Sequence, residues 1–146
     1  LTSYKFGGVH QHTPEIEQIL QKLNGRRVVI SFTPILAPMP RGILATITCK
    51  TTSALSQGEL DAAFGDLFSS SAFVHYLSSG NLPSTSAVYG SNHVQIAATI
   101  DQHARRVVVS VALDNLGKGA AGQAIQNANL MFGLPENTGL MHLGAK

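Results

Sequence analysis

Apolar residues recur along the first third of the chain with a helical period. The residues that follow this period are Ile16, Ile19, Leu20 and Leu23. They predict an amphipathic helix over about 13–23 that buries one face. Thr13 is the expected N-cap and Pro14 the first helical residue, because a hydroxyl can accept from a first-turn amide and proline has no N–H to satisfy there. Gly25 suits the left-handed C-cap that ends the helix.

Two more segments have the signature of helices. Ser56-Gln57-Gly58-Glu59 matches a capping box. The buried stripe expected behind it consists of Leu60, Ala63, Phe64, Leu67 and Phe68. A last helix, from about 118 to 132, is rich in glycine and alanine. Glycine in a helix costs about 1 kcal/mol relative to alanine, so another segment must approach this helix closely. Residues 135–146 are expected to form a loose C-terminal tail.

Runs of β-branched and alternating residues predict strands at 26–33, 43–50, 73–77, 94–100 and 105–113. The last two are joined by a short connection that fits a hairpin. In 43–50 one face carries threonine and lysine, and the other face, with Ala45, Ile47 and Cys49, is expected to be packed. Helices and strands do not alternate strictly. The pattern therefore predicts an α+β fold with a mixed, largely antiparallel sheet and helices on one face.

Composition limits the function classes. Hydrophobic residues make up 44% of the 146 residues and charged residues only 12%, so part of the surface is expected to be covered by a second domain or by another copy. The formal charge of +2 and the absence of a long basic run argue against nucleic-acid binding. One cysteine, Cys49, cannot form an internal disulfide. No apolar run reaches the roughly 20 residues of a membrane span, and no signal peptide is evident. These features predict a cytoplasmic protein without membrane contact and a chain that is part of a longer one.

The stretch Val9-His10-Gln11-His12-Thr13-Pro14-Glu15-Ile16 is the strongest candidate for chemistry. It presents His10 and His12 at the approach to a helix N-terminus, where the macrodipole disfavours an added proton and attracts anions. A neutral imidazole can then act as a base near pH 7. Local sequence leaves three interpretations open: a structural or solvent-exposed pair, acid–base chemistry, or a pair of metal ligands. No third ligand follows at a recognisable spacing, so no metal site is predicted.

Four motifs in order carry a family resemblance. They are His10-Gln11-His12-Thr13-Pro14-Glu15-Ile16, then Phe32-Thr33-Pro34 with Met39-Pro40-Arg41-Gly42-Ile43-Leu44-Ala45-Thr46, then Gly90-Ser91-Asn92, and finally Asp114-Asn115-Leu116-Gly117-Lys118-Gly119-Ala120-Ala121-Gly122-Gln123-Ala124. Between Tyr4 and Leu134 the chain closely resembles the C-terminal half of the N-acetyl-gamma-glutamyl-phosphate reductase family, which is related to aspartate-semialdehyde dehydrogenase. The resemblance therefore also implies a fold like the C-terminal domain of the semialdehyde dehydrogenases.

The resemblance implies a reaction and its acid–base group. Enzymes of this family reduce N-acetyl-glutamyl phosphate to the semialdehyde with NADPH, through a thioester on a cysteine, and release phosphate in arginine biosynthesis. Carried over, His12 is the acid–base residue, and His10 lines the pocket or exchanges roles with it. Glu15 orients an imidazole or binds near the substrate amide. The family often has arginine where this chain has Gln11, so a charge at that position is not expected to matter.

Substrate contacts are also implied. Arg41 suits an acyl phosphate by its bidentate fork, and the alternative is a strand-edge arginine paired with a surface carboxylate. Tyr4 either closes over the pocket or packs in the lead-in. Cys49 is not the expected nucleophile, because a free cysteine in mid-strand usually behaves as a small hydrophobe. The reactive cysteine of the family precedes this region, in the nucleotide-binding half.

The last motif implies a cofactor surface for NADP. Asn115 is carried over as a contact near the nicotinamide, with Lys118 and Gly119 as further contacts. The alternative is that Asp114 and Asn115 merely cap the helix.

The resemblance divides the chain into three parts. Residues 1–113 are expected to form a substrate-binding and dimerisation domain, 114–134 a helix returning to a dinucleotide-binding domain absent from this chain, and 135–146 the tail. A homo-oligomer, dimer or tetramer, is expected, and the chain alone should be inactive. Two other hypotheses are a non-catalytic self-association module of the same fold and a reductase like aspartate-semialdehyde dehydrogenase, whose motif around the catalytic histidine differs.

Overall fold

The computed structural model describes residues 1–78 and 80–141. The chain divides into two compact units, one of residues 1–40 and one that begins at Arg41, and each is described by itself. Within the described residues, no helix has both the length and the apolar character needed to cross a bilayer.

The first unit contains one helix and a short ladder. Helix α1 is His12–Asn24, and strand β1, Thr2–Ser3, pairs antiparallel with β2, Ile35–Leu36. Gly25 has φ +71° and its N–H donates to the carbonyl of Gln21 at 2.9 Å, which is the predicted left-handed C-cap.

The start of α1 differs from the prediction. The helix begins at His12, and Thr13 is buried in the first turn, where its Oγ1 has no hydrogen-bond partner among the described residues. Thr13 is therefore not the N-cap. His10 provides the acceptors instead: its Nδ1 accepts from the His12 N–H at 3.1 Å, and its carbonyl accepts from the Thr13 N–H at 3.0 Å. An imidazole placed two residues before the helix satisfies the amide that an N-cap hydroxyl was expected to satisfy.

Two further predictions for this unit are wrong. Leu23 is 78% exposed and Ile19 is also exposed, because nothing within the unit packs over that face of α1. Residues 26–33 are not a strand, since a β-branched run favours an extended backbone but needs a neighbouring strand to form a ladder. The Ile30 N–H donates instead to Glu17 Oε1, on α1, at 3.0 Å.

The second unit is built on a four-stranded sheet. Its elements are β3 (Ile43–Lys50), α2 (Gln57–Phe68), β4 (Val74–Tyr76), β5 (Val94–Asp101), β6 (Arg106–Leu113), a π-helical turn (Gly117–Ala121) and α3 (Gly122–Met131). The strand order is β3-β6-β5-β4. The β4–β5 pair is parallel and the other two pairs are antiparallel, so the predicted mixed, largely antiparallel α+β sheet is confirmed.

Helix α2 covers one side of this sheet. The predicted capping box is present, since Ser56 Oγ accepts from the Glu59 N–H and the Glu59 carboxylate accepts from the Ser56 N–H. Leu60 is buried against Ala98 and Val107, and Phe64 packs against this core. The buried stripe is narrower than predicted, with Ala63 and Leu67 exposed, because α2 packs mainly against β4 and β5 and reaches β6 at Val107.

Strand β3 lies at the opposite edge of the sheet from the strands that α2 covers. Its expected packed face is not packed: Ile47 is 52% exposed and Cys49 is exposed. Both faces of β3 are largely exposed, because α2 packs mainly against β4 and β5. This apolar surface belongs to an edge strand with one neighbour only.

The chain after α3 is more ordered than a loose tail. Asn129 Nδ2 donates to the carbonyls of Glu136 and Thr138, and Leu140 is buried. These two hydrogen bonds hold the backbone at Glu136 and Thr138 against α3. The remainder of the predicted tail, 142–146, lies outside the described residues.

Candidate functional site

The first candidate cluster is centred on His10, in the first unit. The ring is 5% exposed and lies edge-on to the rings of Tyr4, His12 and Phe32, at centroid distances of 5.4, 4.7 and 5.2 Å. Its Nδ1 accepts the His12 N–H, and its Nε2 lies 3.3 Å from Tyr4 Oη. A backbone N–H only donates, so Nδ1 is unprotonated and Nε2 carries the proton that faces Tyr4. Both nitrogens of His10 are thus engaged.

The electrostatics of His10 follow from this geometry. Burial lowers the pKa of His10 below its ordinary value, and nearby His12 and Lys5 lower it further, while Glu15 acts in the opposite direction. A second proton would also have to be placed on Nδ1, which would displace the His12 amide. His10 is therefore held neutral and orients the start of α1.

His12 is placed differently. It is the first residue of α1, its side chain is 56% exposed, and its Nε2 lies 3.9 Å from Glu15 Oε2, one turn further along the helix. An accessible imidazole next to a carboxylate can accept a proton and hold it as an imidazolium.

The second candidate cluster is centred on Asp114, in the second unit. Its carboxylate is fully buried. It accepts from Arg41 Nη2 at 2.8 Å and from the amides of Leu116, Gly117 and Gly90 at 2.9, 2.6 and 2.7 Å. Burial by itself would raise the pKa of Asp114, but these hydrogen bonds favour the carboxylate and bring its pKa well below the ordinary value.

Arg41 is the charged partner of Asp114. Its guanidinium carbon lies 5.0 Å from the centre of the Tyr89 ring, and its Nε is buried with no partner among the described residues. The alternative prediction, that Arg41 pairs with a surface carboxylate, is wrong, because its partner Asp114 is the most deeply buried acid of the sheet unit. This ion pair joins a residue shortly before β3 to the residue after β6.

Asn115 also connects the start of β3 to the end of β6. Its Oδ1 accepts from the Gly42 N–H at 2.7 Å. Asp114, not Asn115, caps the π-helical turn, through the amides of Leu116 and Gly117. Of the two residues, only Asp114 accepts from amides at the start of the π-helical turn.

Lys118 and Gly119 lie in the π-helical turn. Lys118 Nζ donates to Gln126 Oε1 at 2.6 Å and lies 5.6 Å from the centre of the Phe73 ring. Burial lowers the pKa of Lys118, and Glu136 partly offsets this effect. Gly119 is exposed.

Comparison with known proteins places the chain in a family. Residues 1–115 match the family described as the semialdehyde dehydrogenase dimerisation domain. The chain belongs to this family. The chain is 55% identical over 144 residues to an N-acetyl-gamma-glutamyl-phosphate reductase of Acidothermus cellulolyticus, covering 99% of this chain and 42% of that protein. It is 49% identical over 144 residues to the reductase of the same name from Micrococcus luteus, again with 99% and 42% coverage. The chain thus corresponds to the C-terminal part of these relatives and spans about two fifths of their length.

A solved structure has the same fold. Aspartate semialdehyde dehydrogenase II from Vibrio cholerae, in a complex with ASA, matches the dimerisation domain with a TM-score of 0.62 over 84% of this chain and 36% of that one. Only 19% of the residues are identical, so this likeness concerns the fold alone.

The candidate site residues predicted from the sequence fall into two groups. Tyr4, His10, His12 and Glu15 come together in the first unit, and Arg41, Asn115, Lys118 and Gly119 lie around the ends of β3 and β6 in the second. Among residues 1–78 and 80–141, no group of three histidine, cysteine or acidic side chains is arranged to hold a metal ion.

Sequence reasoning missed what the glycine-rich motif packs against. A Cβ at Gly117 would clash with the Ser91 carbonyl, and a Cβ at Gly122 would clash with Asn92 Oδ1. The close approach was expected from the glycines, and the Gly90-Ser91-Asn92 motif is the segment that makes it. The role of Gln126, which links Asn92, Lys118 and Glu136, had no signal in the sequence.

Proposed function

We propose that this dimerisation domain supplies the acid–base residue, and part of the substrate and cofactor sites, of a cytoplasmic reductase in arginine biosynthesis. The reaction is the NADPH-dependent conversion of N-acetyl-L-glutamyl 5-phosphate into N-acetyl-L-glutamate 5-semialdehyde and phosphate. The observation that carries the proposal is the difference between the two histidines. Both ring nitrogens of His10 are hydrogen-bonded, whereas the ring of His12 is accessible beside Glu15. The name shared by relatives about half identical to this chain supports the substrate.

His12 is the proton carrier in this proposal. A cysteine contributed by a part of the protein outside this sequence needs a base, because a thiol with an ordinary pKa near 8.5 is mostly protonated at pH 7. His12 takes the thiol proton as sulfur bonds to the acyl carbon, and it passes the proton to the departing phosphate oxygen. After reduction of the thioester, the carbon–sulfur bond breaks, the aldehyde leaves, and a proton from solution returns to the thiolate through His12.

Four other residues assist His12 in this proposal. Tyr4 and His10 hold the backbone of His12 in place, and Tyr4 borders the substrate. Glu15 stabilises the imidazolium form of His12 or binds near the substrate amide. Arg41 binds the acyl phosphate through N–H groups of its fork other than the one on Asp114, an anion-binding role for which its remaining donors are suited.

The cofactor surface is proposed on the π-helical turn. NADPH supplies the hydride that enters the acyl carbon. The residues present fit a polar partner, because the side-chain nitrogen of Asn115 has no hydrogen-bond partner among the described residues, Lys118 is a cation, and Gly119 leaves the backbone exposed. Asn115 would contact the nicotinamide, and Lys118 and Gly119 would line the same surface. The proposed parts are a substrate and dimerisation domain in 1–113 and, in 114–134, a segment that packs on a dinucleotide-binding domain.

The family name and the exposed apolar surface of β3 support self-association. A dimer or tetramer would bury residues such as Ile47, and an interface of this kind typically covers at least about 1,000 Å².

The proposal is tested in the full-length protein with His12→Asn. Loss of the proton carrier should lower kcat by about 10²-fold or more. His103→Asn, in the connection between β5 and β6, is the matched control and should retain activity. Phosphate release without NADPH, which reports the thioester step alone, should slow in His12→Asn as well. Unchanged turnover of His12→Asn would remove His12 from the mechanism.

The same experiment separates the alternatives. A non-catalytic self-association module would keep its oligomeric state and show no reductase activity even with intact His10 and His12. An enzyme like aspartate-semialdehyde dehydrogenase would prefer aspartyl phosphate, and the only support for it is the shared fold. Preference for the N-acetylglutamyl substrate would exclude both.

A further inference from the structure

A second histidine pair lies in the sheet unit, at the parallel edge of the sheet. His75 is the central residue of β4, and His93 immediately precedes β5. The register pairs His75 with Gln95, and His93 lies two residues before Gln95, so the two histidines are diagonal neighbours on the same face of the ladder. His75 Nε2 and His93 Nδ1 are 2.8 Å apart, and the ring centroids are 4.8 Å apart at an interplanar angle of 41°.

The backbone and the neighbours fix both rings. The His93 N–H donates to Ser91 Oγ at 3.2 Å, and the His93 ring packs 5.5 Å from the ring of buried Phe73. His75 is exposed on a hydrogen-bonded strand. At this separation one imidazole donates its N–H to the unprotonated nitrogen of the other, so the two facing nitrogens are close enough for a single ion to reach both. Burial and the neighbouring His75 lower the pKa of His93, which favours its neutral form.

We propose that His75 and His93 bind a borderline divalent transition-metal ion, such as Zn²⁺, Ni²⁺ or Cu²⁺, through His75 Nε2 and His93 Nδ1. The proton between the rings moves, by exchange with water, to the other nitrogen of its own ring, so both imidazoles stay neutral and both facing nitrogens can bind the ion, with water completing its coordination. Imidazole nitrogens bound at about 2.0–2.1 Å in a tetrahedral shell lie roughly 3.4 Å apart, so the two rings need to part by about 0.6 Å from their present 2.8 Å and to turn until both lone pairs face the ion. Neutral imidazole is a preferred ligand of these ions, and with two protein ligands the site is exchangeable.

Metal binding here would connect two segments that matter elsewhere in the fold. The ion would link β4 to the Ser91–Asn92 turn, and this turn is in contact with Gly117 and Gly122. A bound ion should therefore stabilise the packing of the glycine-rich motif, since a ligand that binds only the folded state raises its stability.

Isothermal titration of the full-length protein with NiCl₂ and ZnCl₂ at pH 7.5 tests the proposal. The protein is first treated with chelator and carries Cys49→Ser, so that the exposed thiol does not compete. His75→Asn and His93→Asn should each remove one equivalent of bound ion or weaken that site at least tenfold, because one imidazole cannot replace two. His103→Asn is the matched control and should bind as the parent does. Binding should weaken at pH 5.5, where protons compete for the imidazoles.

Two results would overturn the proposal: both variants bind as the parent does, or only one of the two variants loses the site. Imidazole ¹⁵N spectra of the parent provide a second measurement that needs no substitution at the site. The metal should move the signals of His75 Nε2 and His93 Nδ1, and unmoved signals at saturating metal would also contradict the site.

Discussion

Arg41 Nη2 donates to Asp114 Oδ1 at 2.8 Å, and the same carboxylate accepts from the amides of Gly90, Leu116 and Gly117. One buried side chain thus fixes the start of β3, the end of β6, the Gly90 turn and the π-helical turn. The residues proposed to meet substrate and cofactor in this unit, Arg41 and Asn115, belong to this junction. Arg41 and Asn115 keep their positions only if this junction around Asp114 is intact.

Asp114→Asn is expected to destabilise the protein strongly. The change removes the negative charge and places an N–H₂ group where the carboxylate accepts donors, at a cost of roughly 3–5 kcal/mol for a broken buried ion pair. The control is Asp101→Asn, an exposed acid that accepts only from the Ala104 N–H in the hairpin connection. Urea denaturation at pH 7 measures both. Equal midpoints for the two variants would contradict the central role of Asp114.

The glycines of α2 and α3 should respond in opposite directions to alanine. A Cβ at Gly122 meets Asn92 Oδ1, so Gly122→Ala should destabilise by about 1–3 kcal/mol, the usual cost of overpacking. A Cβ at Gly65, inside α2, would meet no atom within 4 Å beyond the adjoining backbone of its own helix. Gly65→Ala should therefore stabilise by up to about 1 kcal/mol through helix propensity. Thermal unfolding of the two variants gives the comparison, and a stabilising Gly122→Ala would refute the proposed close contact.

Stability should fall at alkaline pH because of Tyr76. Burial and the hydrogen bond to Asp61, at 2.6 Å, raise the pKa of Tyr76 from 10.0 to about 12. The neutral phenol is favoured in the folded state, so this contribution is fully present below pH 10 and is lost as the pH rises through 12. The difference in the free energy of unfolding between the parent and Tyr76→Phe should shrink over this range. A difference that stays constant from pH 8 to pH 12 would show that the phenol is not the cause.

His10 should titrate below its ordinary pKa of 6.5. Burial, His12 and Lys5 all disfavour the imidazolium, so the stabilisation is present above pH 6.5 and is lost as the pH falls through the lowered folded-state value. Imidazole NMR signals followed between pH 4 and 8 measure the midpoint. His12→Asn should raise it, because one of the repelling groups is removed. A His10 midpoint at or above 6.5 in the parent would mean that Nδ1 is not engaged as described.

Ile47→Lys should weaken self-association without unfolding the protein. The side chain is 52% exposed on β3, so a lysine there costs the fold little but places a charge on the proposed apolar interface. Sedimentation velocity at micromolar concentration should show a smaller species than the parent. Leu67→Lys, on the exposed side of α2, is the control. A parent that sediments as a monomer would contradict the oligomer itself.

Local signals predicted those elements whose hydrogen bonds are local or are made with a strand nearby in sequence. The capping box at Ser56, the C-cap at Gly25 and the β5–β6 hairpin all appear as predicted, because each depends on a few consecutive residues or on a short connection. The strand predicted at 26–33 failed for the opposite reason. Its sequence favours an extended backbone, but a strand also requires a partner, which no local pattern specifies.

The candidate site shows the same difference between features set by local sequence and features set by packing. The sequence by itself determined the residue types and their order: a histidine pair at a helix start, an arginine before a strand, and a glycine-rich motif that only a close neighbour could explain. The tertiary structure alone decided that His10, and not Thr13, accepts from the first amides of α1, that Asp114 accepts from Arg41 and three amides, and that Asn92 meets Gly122. These contacts join residues or backbone groups through specific side-chain directions and burial, and such directions are fixed only when the segments pack together.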